Sequence, residues 1–134
     1  MVDLRIPRKA EWVAVARLTM AAVANRLHCS VEDIEDLKLA VAEACTSCIQ
    51  QPTSTDQVAI TCEMDANELR LTVREHTEHA GAAAAPRAAA SVSVSEAAES
   101  ELGLFLIRSL MDHVEYTIDP QLGLRLFMVK KLLG

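Results

Sequence analysis

The chain has 134 residues, 51% hydrophobic and 24% charged, a length that fits one compact core and is too short for two. Its net charge is −6, with 13 basic residues scattered among 19 acidic ones. Neutralising phosphates takes clustered Lys and Arg, so direct nucleic-acid binding is not expected.

No apolar run reaches membrane-spanning length, and the charged residues 1–8 do not read as a signal peptide. A cytoplasmic protein with no membrane partner is expected. Residues 2–6 alternate apolar and polar with period two, which predicts a short strand ended by Pro7. Over residues 9–27 an Ala-rich stretch sets Trp12, Val15, Ala16, Met20 and Val23 at helical spacing, with Arg17 and Asn25 on the other side. Ser30 is a good N-cap for a second helix over 31–50, with Asp33 three residues on. The acidic run Glu32, Asp33, Glu35 and Asp36 suits the positive end of that helix dipole. Ile34, Leu37, Val41, Ala44 and Cys48 make its apolar stripe, and Pro52 with Thr53-Ser54-Thr55 stops it.

Residues 58–64 and 69–73 alternate as two strands around a hairpin turn at 65–68. Residues 76–100 are Ala, Ser, Gly and Glu with almost no large apolar side chain, the composition of a long mobile segment. An apolar helix at 102–111, a strand at 114–118, a turn at 119–123 and a last strand at 124–130 follow. Helices grouped apart from hairpin-linked strands predict a single domain over 1–134. It is expected to be an α+β two-layer sandwich, its mostly antiparallel mixed sheet carrying three helices on one face.

Cys45 and Cys48 have C-x-x-C spacing, but no second such pair or close Cys/His pair accompanies them. They read as small buried thiols on a helix in a reducing compartment. His76 and His79 with Glu75 and Glu78 would make a metal site only if about three ligands converged in fixed geometry, which a mobile segment does not provide.

Two strings carry chemistry. In Leu39-Ala40-Val41-Ala42-Glu43-Ala44-Cys45-Thr46-Ser47, Glu43 and Ser47 lie one helical turn apart and project from the same side. Such a pair supplies a proton acceptor beside a metal or water ligand, although spacing alone favours a solvated polar stripe. In Gly103-Leu104-Phe105-Leu106-Ile107, a glycine at a helix start lets a phosphate approach the unbonded backbone N–H groups.

Together the two strings, the second continuing to Asp112, resemble the anti-sigma serine kinases of the GHKL (Bergerat-fold) ATPase superfamily, over nearly the whole chain. The resemblance implies a Bergerat sandwich whose segment 76–100 is the ATP lid, with ATP and Mg²⁺ between lid and sheet. It also implies a homodimer that holds a sigma factor inactive and phosphorylates a serine on an anti-anti-sigma antagonist of the STAS type. Glu43 matches the general base, Ser47 the Mg²⁺-holding position, Glu75 the carboxylate that binds the adenine amino group, and Gly103 and Leu104 the phosphate-facing helix start. Arg17, on the polar side of the first helix, is the expected partner contact.

The chain departs from the family pattern at five positions. Ser47 stands for an asparagine, Glu75 for an aspartate, Thr77 and His79 for glycines, and Glu101 for a glycine. These departures open a second reading, a catalytically silent Bergerat-fold binding module in a partner-switching pathway.

Overall fold

The structure is a computed structural model that describes residues 1–65, 67–77, 103–119 and 122–132. Strand β1 (Val2–Pro7) leads through a 3-10 turn (Ala10–Trp12) into helix α1 (Val13–Arg26). Helix α2 (Val31–Ile49) follows, then the hairpin β2 (Gln57–Met64) and β3 (Glu68–His76). Helix α3 (103–110) precedes a second hairpin, β4 (His113–Asp119) and β5 (Gly123–Lys131).

The five strands form one sheet in the order β1-β2-β3-β5-β4. All four pairings are antiparallel, so the sheet expected to be mostly antiparallel is antiparallel throughout the described strands. The reason is in the connections. Helices α1 and α2 form an antiparallel pair, so the chain leaves β1 and returns to the same end of the sheet, where Pro7 faces Gln57 in register. On the other side, α3 carries the chain from that end to the far one, where β4 starts opposite Val129.

Period-two alternation decides which face is covered. Leu69, Leu71, Val73 and Glu75 of β3 are all buried, as are Leu124, Leu126 and Met128 of β5. They meet Leu37, Ala40, Val41, Ala44 and Cys48 of α2 and Ile107 of α3, while Ala16, Met20, Val23 and Ala24 of α1 close the same core. Fully burying a side chain such as Leu37, Ile107 or Met128 contributes roughly 1.5–3 kcal/mol each. Trp12, expected on the buried face of the first helix, is 41% exposed because the 3-10 turn precedes α1 and rotates it off the apolar stripe.

Helix ends are closed as the sequence indicates. Ser30 accepts a hydrogen bond from the Asp33 backbone N–H at 3.1 Å, satisfying one of the orphan donors of α2. At the other end of the core, Lys130 reaches from β5 to donate to Leu110 O at 2.7 Å and Asp36 Oδ2 at 3.1 Å, tying the end of α3 to the start of α2.

Candidate active site

The candidate residues Glu43, Ser47, Glu75 and Gly103 gather at the end of the sheet where β3 stops, β5 begins and α2 finishes. Glu43 and Ser47 lie one turn apart on α2, with Glu43 half-buried and Ser47 buried. Gly103, the first described residue of α3, lies directly against them. A methyl group on Gly103 would sit 3.3 Å from Ser47 Oγ and 3.5 Å from Glu43 Oε2. The backbone of α3 at Gly103 therefore stands beside a hydroxyl and a carboxylate, with no side chain on residue 103 to keep a phosphate away. Leu104, next in α3, packs partly buried against the core and anchors that helix start. Among the described residues, no hydrogen bond or ion pair occupies the Glu43 carboxylate.

Glu75 has the opposite situation. It is 2% exposed, on the core side of β3. Thr55 donates to its Oε1 at 2.7 Å, and Thr53 donates to the same oxygen. The Leu124 backbone N–H donates to its Oε2, and the Arg8 guanidinium lies 3.9 Å away. Arg8 also bonds Ile49 O at 3.0 Å, Thr53 O at 2.8 Å and Cys48 O at 3.3 Å, and it donates to Gln51 O. A planar five-donor cation thus caps the carbonyl end of α2 and fixes the connector that presents both threonines.

Gly123 completes this knot. Its φ is +84°, a left-handed conformation that favours glycine, and any β-carbon there would overlap the Glu75 carboxylate. Arg8, Thr53, Thr55 and Gly123 are the residues that sequence reasoning passed over. One signal was available: the alternation Leu69, Leu71, Val73 continues to Glu75, and a carboxylate on a core face must find donors.

Of the other sequence candidates, Thr77 follows β3 directly and is half-buried, close in the chain to Glu75. His79, Glu78, Glu101 and the segment 78–102 lie outside the described residues. Arg17 is exposed on α1, the helix that packs on α2 and β1, and it takes no part in the Glu43 cluster. Cys45 and Cys48 are buried thiols on α2, as expected. Burial pushes Cys45 up to about 12. Burial and then the nearby Glu75 raise Cys48 well above the ordinary thiol range. Neither presents a thiolate for redox chemistry at neutral pH.

This two-layer sandwich, with Gly103 set against a carboxylate and a hydroxyl, is of the class of compact ATPase domains. The chain matches the histidine kinase-like ATPase domain family over residues 6–130, and it belongs to that family. Among its relatives is the serine-protein kinase RsbW of Bacillus thuringiensis (strain Al Hakam), 36% identical over 135 residues, covering 96% of this chain and 83% of that protein. Proteins of the same name from Bacillus cereus (strain 03BB102) and Bacillus anthracis are also 36% identical, with the same coverage. No helix among the described residues is long and apolar enough to cross a membrane.

Proposed function

We propose that the chain is an ATP-dependent protein serine kinase of the anti-sigma type. It sequesters a sigma factor and phosphorylates a serine on a STAS-type antagonist. The observation that carries the reading is the contact of Gly103 with Glu43 and Ser47. The 36% identity to proteins named serine-protein kinase supports the reaction class.

The residues present fit the phosphate end of a nucleotide. At Gly103 the backbone of α3 is open to an approaching phosphate, and Ser47 is the hydroxyl at hand for Mg²⁺. ATP, when bound, supplies the phosphoryl group. Glu43 accepts the proton of the attacking serine hydroxyl, for which its carboxylate needs the vacant lone pairs it has among the described residues. The fit is narrower at Glu75, whose Oε1 is filled by two threonine hydroxyls while Oε2 keeps one acceptor site beside the Leu124 N–H. That single site is what Glu75 offers an adenine amino group. Thr77 stands next to it, and Leu104 holds the helix start in place. A homodimer in the cytoplasm, with Arg17 on the exposed side of α1 as a partner contact, belongs to the same reading.

Two measurements test it. Saturating ATP and Mg²⁺, at 100 times the dissociation constant, are expected to stabilise the purified protein by about 2.7 kcal/mol in thermal unfolding. Glu43→Gln should keep that stabilisation and lower phosphoryl transfer to the antagonist by roughly 10²–10⁴-fold, since only the proton acceptor is lost. An unchanged melting temperature at millimolar ATP would leave the silent binding module as the better reading.

A further inference from the structure

The face of the sheet turned away from the helices carries a basic row on an otherwise acidic protein. Arg5 of β1 faces Ala59 of β2 in register, Ala59 faces Arg74 of β3, Arg74 faces Arg125 of β5, and Arg125 faces Thr117 of β4. Ala59 is 1% exposed although it lies on this open face, so the side chains on either side of it cover it. Among the described residues, Arg5, Arg74 and Arg125 form no ion pair. The contrast with other cations is sharp: Arg70 lies within 4.0 Å of three carboxylates, and Lys130 of two.

Like charges directly opposite each other on antiparallel strands are about 5 Å apart at the backbone and repel. Arg74 and Arg125 are such a pair. The acids of the adjacent row are engaged elsewhere, Asp3 with Thr61 Oγ1 at 3.5 Å and Glu115 with His113 at 3.3 Å. Arg74 is held in place, its Nη1 donating to His76 Nδ1 at 3.1 Å, a bond that puts the proton of a neutral His76 on Nε2. Beside the pair, between β3, β5 and the β4–β5 turn, opens a cavity of about 180 Å³ lined by Arg74, Arg125, Thr117 and Leu122. Glu75 and Asp119 also border it. Glu75 is bound from the core side, and Asp119 Oδ1 accepts from the Leu122 N–H at 2.9 Å inside the turn.

We propose that Arg74 and Arg125, with Thr117 and His76 beside them, form a binding site for a phosphate-type anion on the open face of the sheet. A carboxylate brings one negative charge to this pair of arginines, whereas a phosphate brings up to two, enough to match both. A phosphate has enough oxygens to take a fork from each arginine and a hydroxyl as well. The anion would neutralise the like-charge pair, and it comes either as free phosphate or as a phosphoserine on a protein. The site is separate from the Gly103 cleft and does not depend on kinase activity.

The test is an NMR titration of the full chain with inorganic phosphate at constant ionic strength, following the arginine Nε–H signals. The Arg74 and Arg125 signals are expected to move together, with a midpoint in the millimolar range or below. R125Q should weaken phosphate binding at this site at least tenfold, and R125K, which keeps the charge and loses the fork, should weaken it less. R125Q should also melt at a higher temperature than the wild type without phosphate, and gain less from its addition. A phosphoserine peptide and its unphosphorylated acidic twin form the second arm. Tighter binding of the phosphopeptide than of phosphate assigns a protein-borne source, and equal binding assigns the free anion. The proposal is overturned if phosphate leaves the Arg74 and Arg125 signals in place, if R125Q binds as wild type does, or if the acidic twin binds best.

Discussion

Two glutamates at the same end of the molecule are used in opposite ways. Glu43, on α2, is half-buried and keeps its lone pairs open toward the start of α3. Glu75, at the end of β3, is buried and filled by two threonine hydroxyls and a backbone N–H, with Arg8 close by. A carboxylate that must accept a proton needs open acceptor sites, whereas one that holds a fold together is stabilised by having most of its sites taken. Substitutions should therefore separate them: around Glu75 they cost stability, and at Glu43 they cost chemistry.

The largest loss is expected at Gly123. Alanine there meets both a left-handed backbone, costing about 1–2 kcal/mol, and the Glu75 carboxylate, which has to leave its donors. Unfolding in urea should show Gly123→Ala to be about 3–5 kcal/mol less stable than wild type. A loss below about 1 kcal/mol would mean that the turn does not hold Glu75 in place.

The direct comparison comes next in size. Glu75→Gln puts an NH₂ group against donors that need an acceptor, and it is expected to cost about 2 kcal/mol. Glu43→Gln, with no internal partner to lose among the described residues, should stay within about 0.5 kcal/mol of wild type in the same denaturant series. Equal costs at the two positions would erase the distinction drawn between them.

How much of this was legible in the sequence depends on the range of the interaction. The strands, the Ser30 cap and the apolar stripe of α2 follow from local periodicity, and the structure reproduces them within a residue or two, except at β3. That strand runs on to His76 instead of ending at Val73, because its alternation continues, its hairpin partner β2 pairs with it as far as His76, and β5 pairs with it as far as Arg74. The approach of Gly103 to Glu43 follows from the paired strings and the family they resemble. The knot around Glu75 was not readable, because its members are brought together only by the fold. Arg8 reaches Ile49 and Gln51 across more than 40 positions, and Leu124 reaches Glu75 across 49. Thr53 and Thr55 appeared as a helix stop, and their hydroxyls acquire a purpose only when β3 arrives beneath them.

A third carboxylate separates hydrogen bonding from burial. Asp65, in the β2–β3 turn at the far end of the sheet, is as well supplied with donors as Glu75 but is exposed. The backbone N–H of Asn67 first, then the Arg70 guanidinium and the N–H of Glu68, lower its pKa below the usual aspartate value. A carboxyl whose folded pKa is depressed stabilises the native state above its unfolded pKa, near 3.9. That stabilisation is lost as pH falls through the lower folded value. Asp65→Asn should therefore have a slightly lower urea midpoint than wild type at pH 7, and the gap should close as pH falls below the ordinary aspartate value and through the lower folded one. It should remain the smallest of these effects, since water competes for every donor around Asp65 and screens its pairing with Arg70. If Asp65→Asn cost as much as Glu75→Gln at pH 7, the number of donors alone would account for Glu75, and its exclusion from water would add nothing.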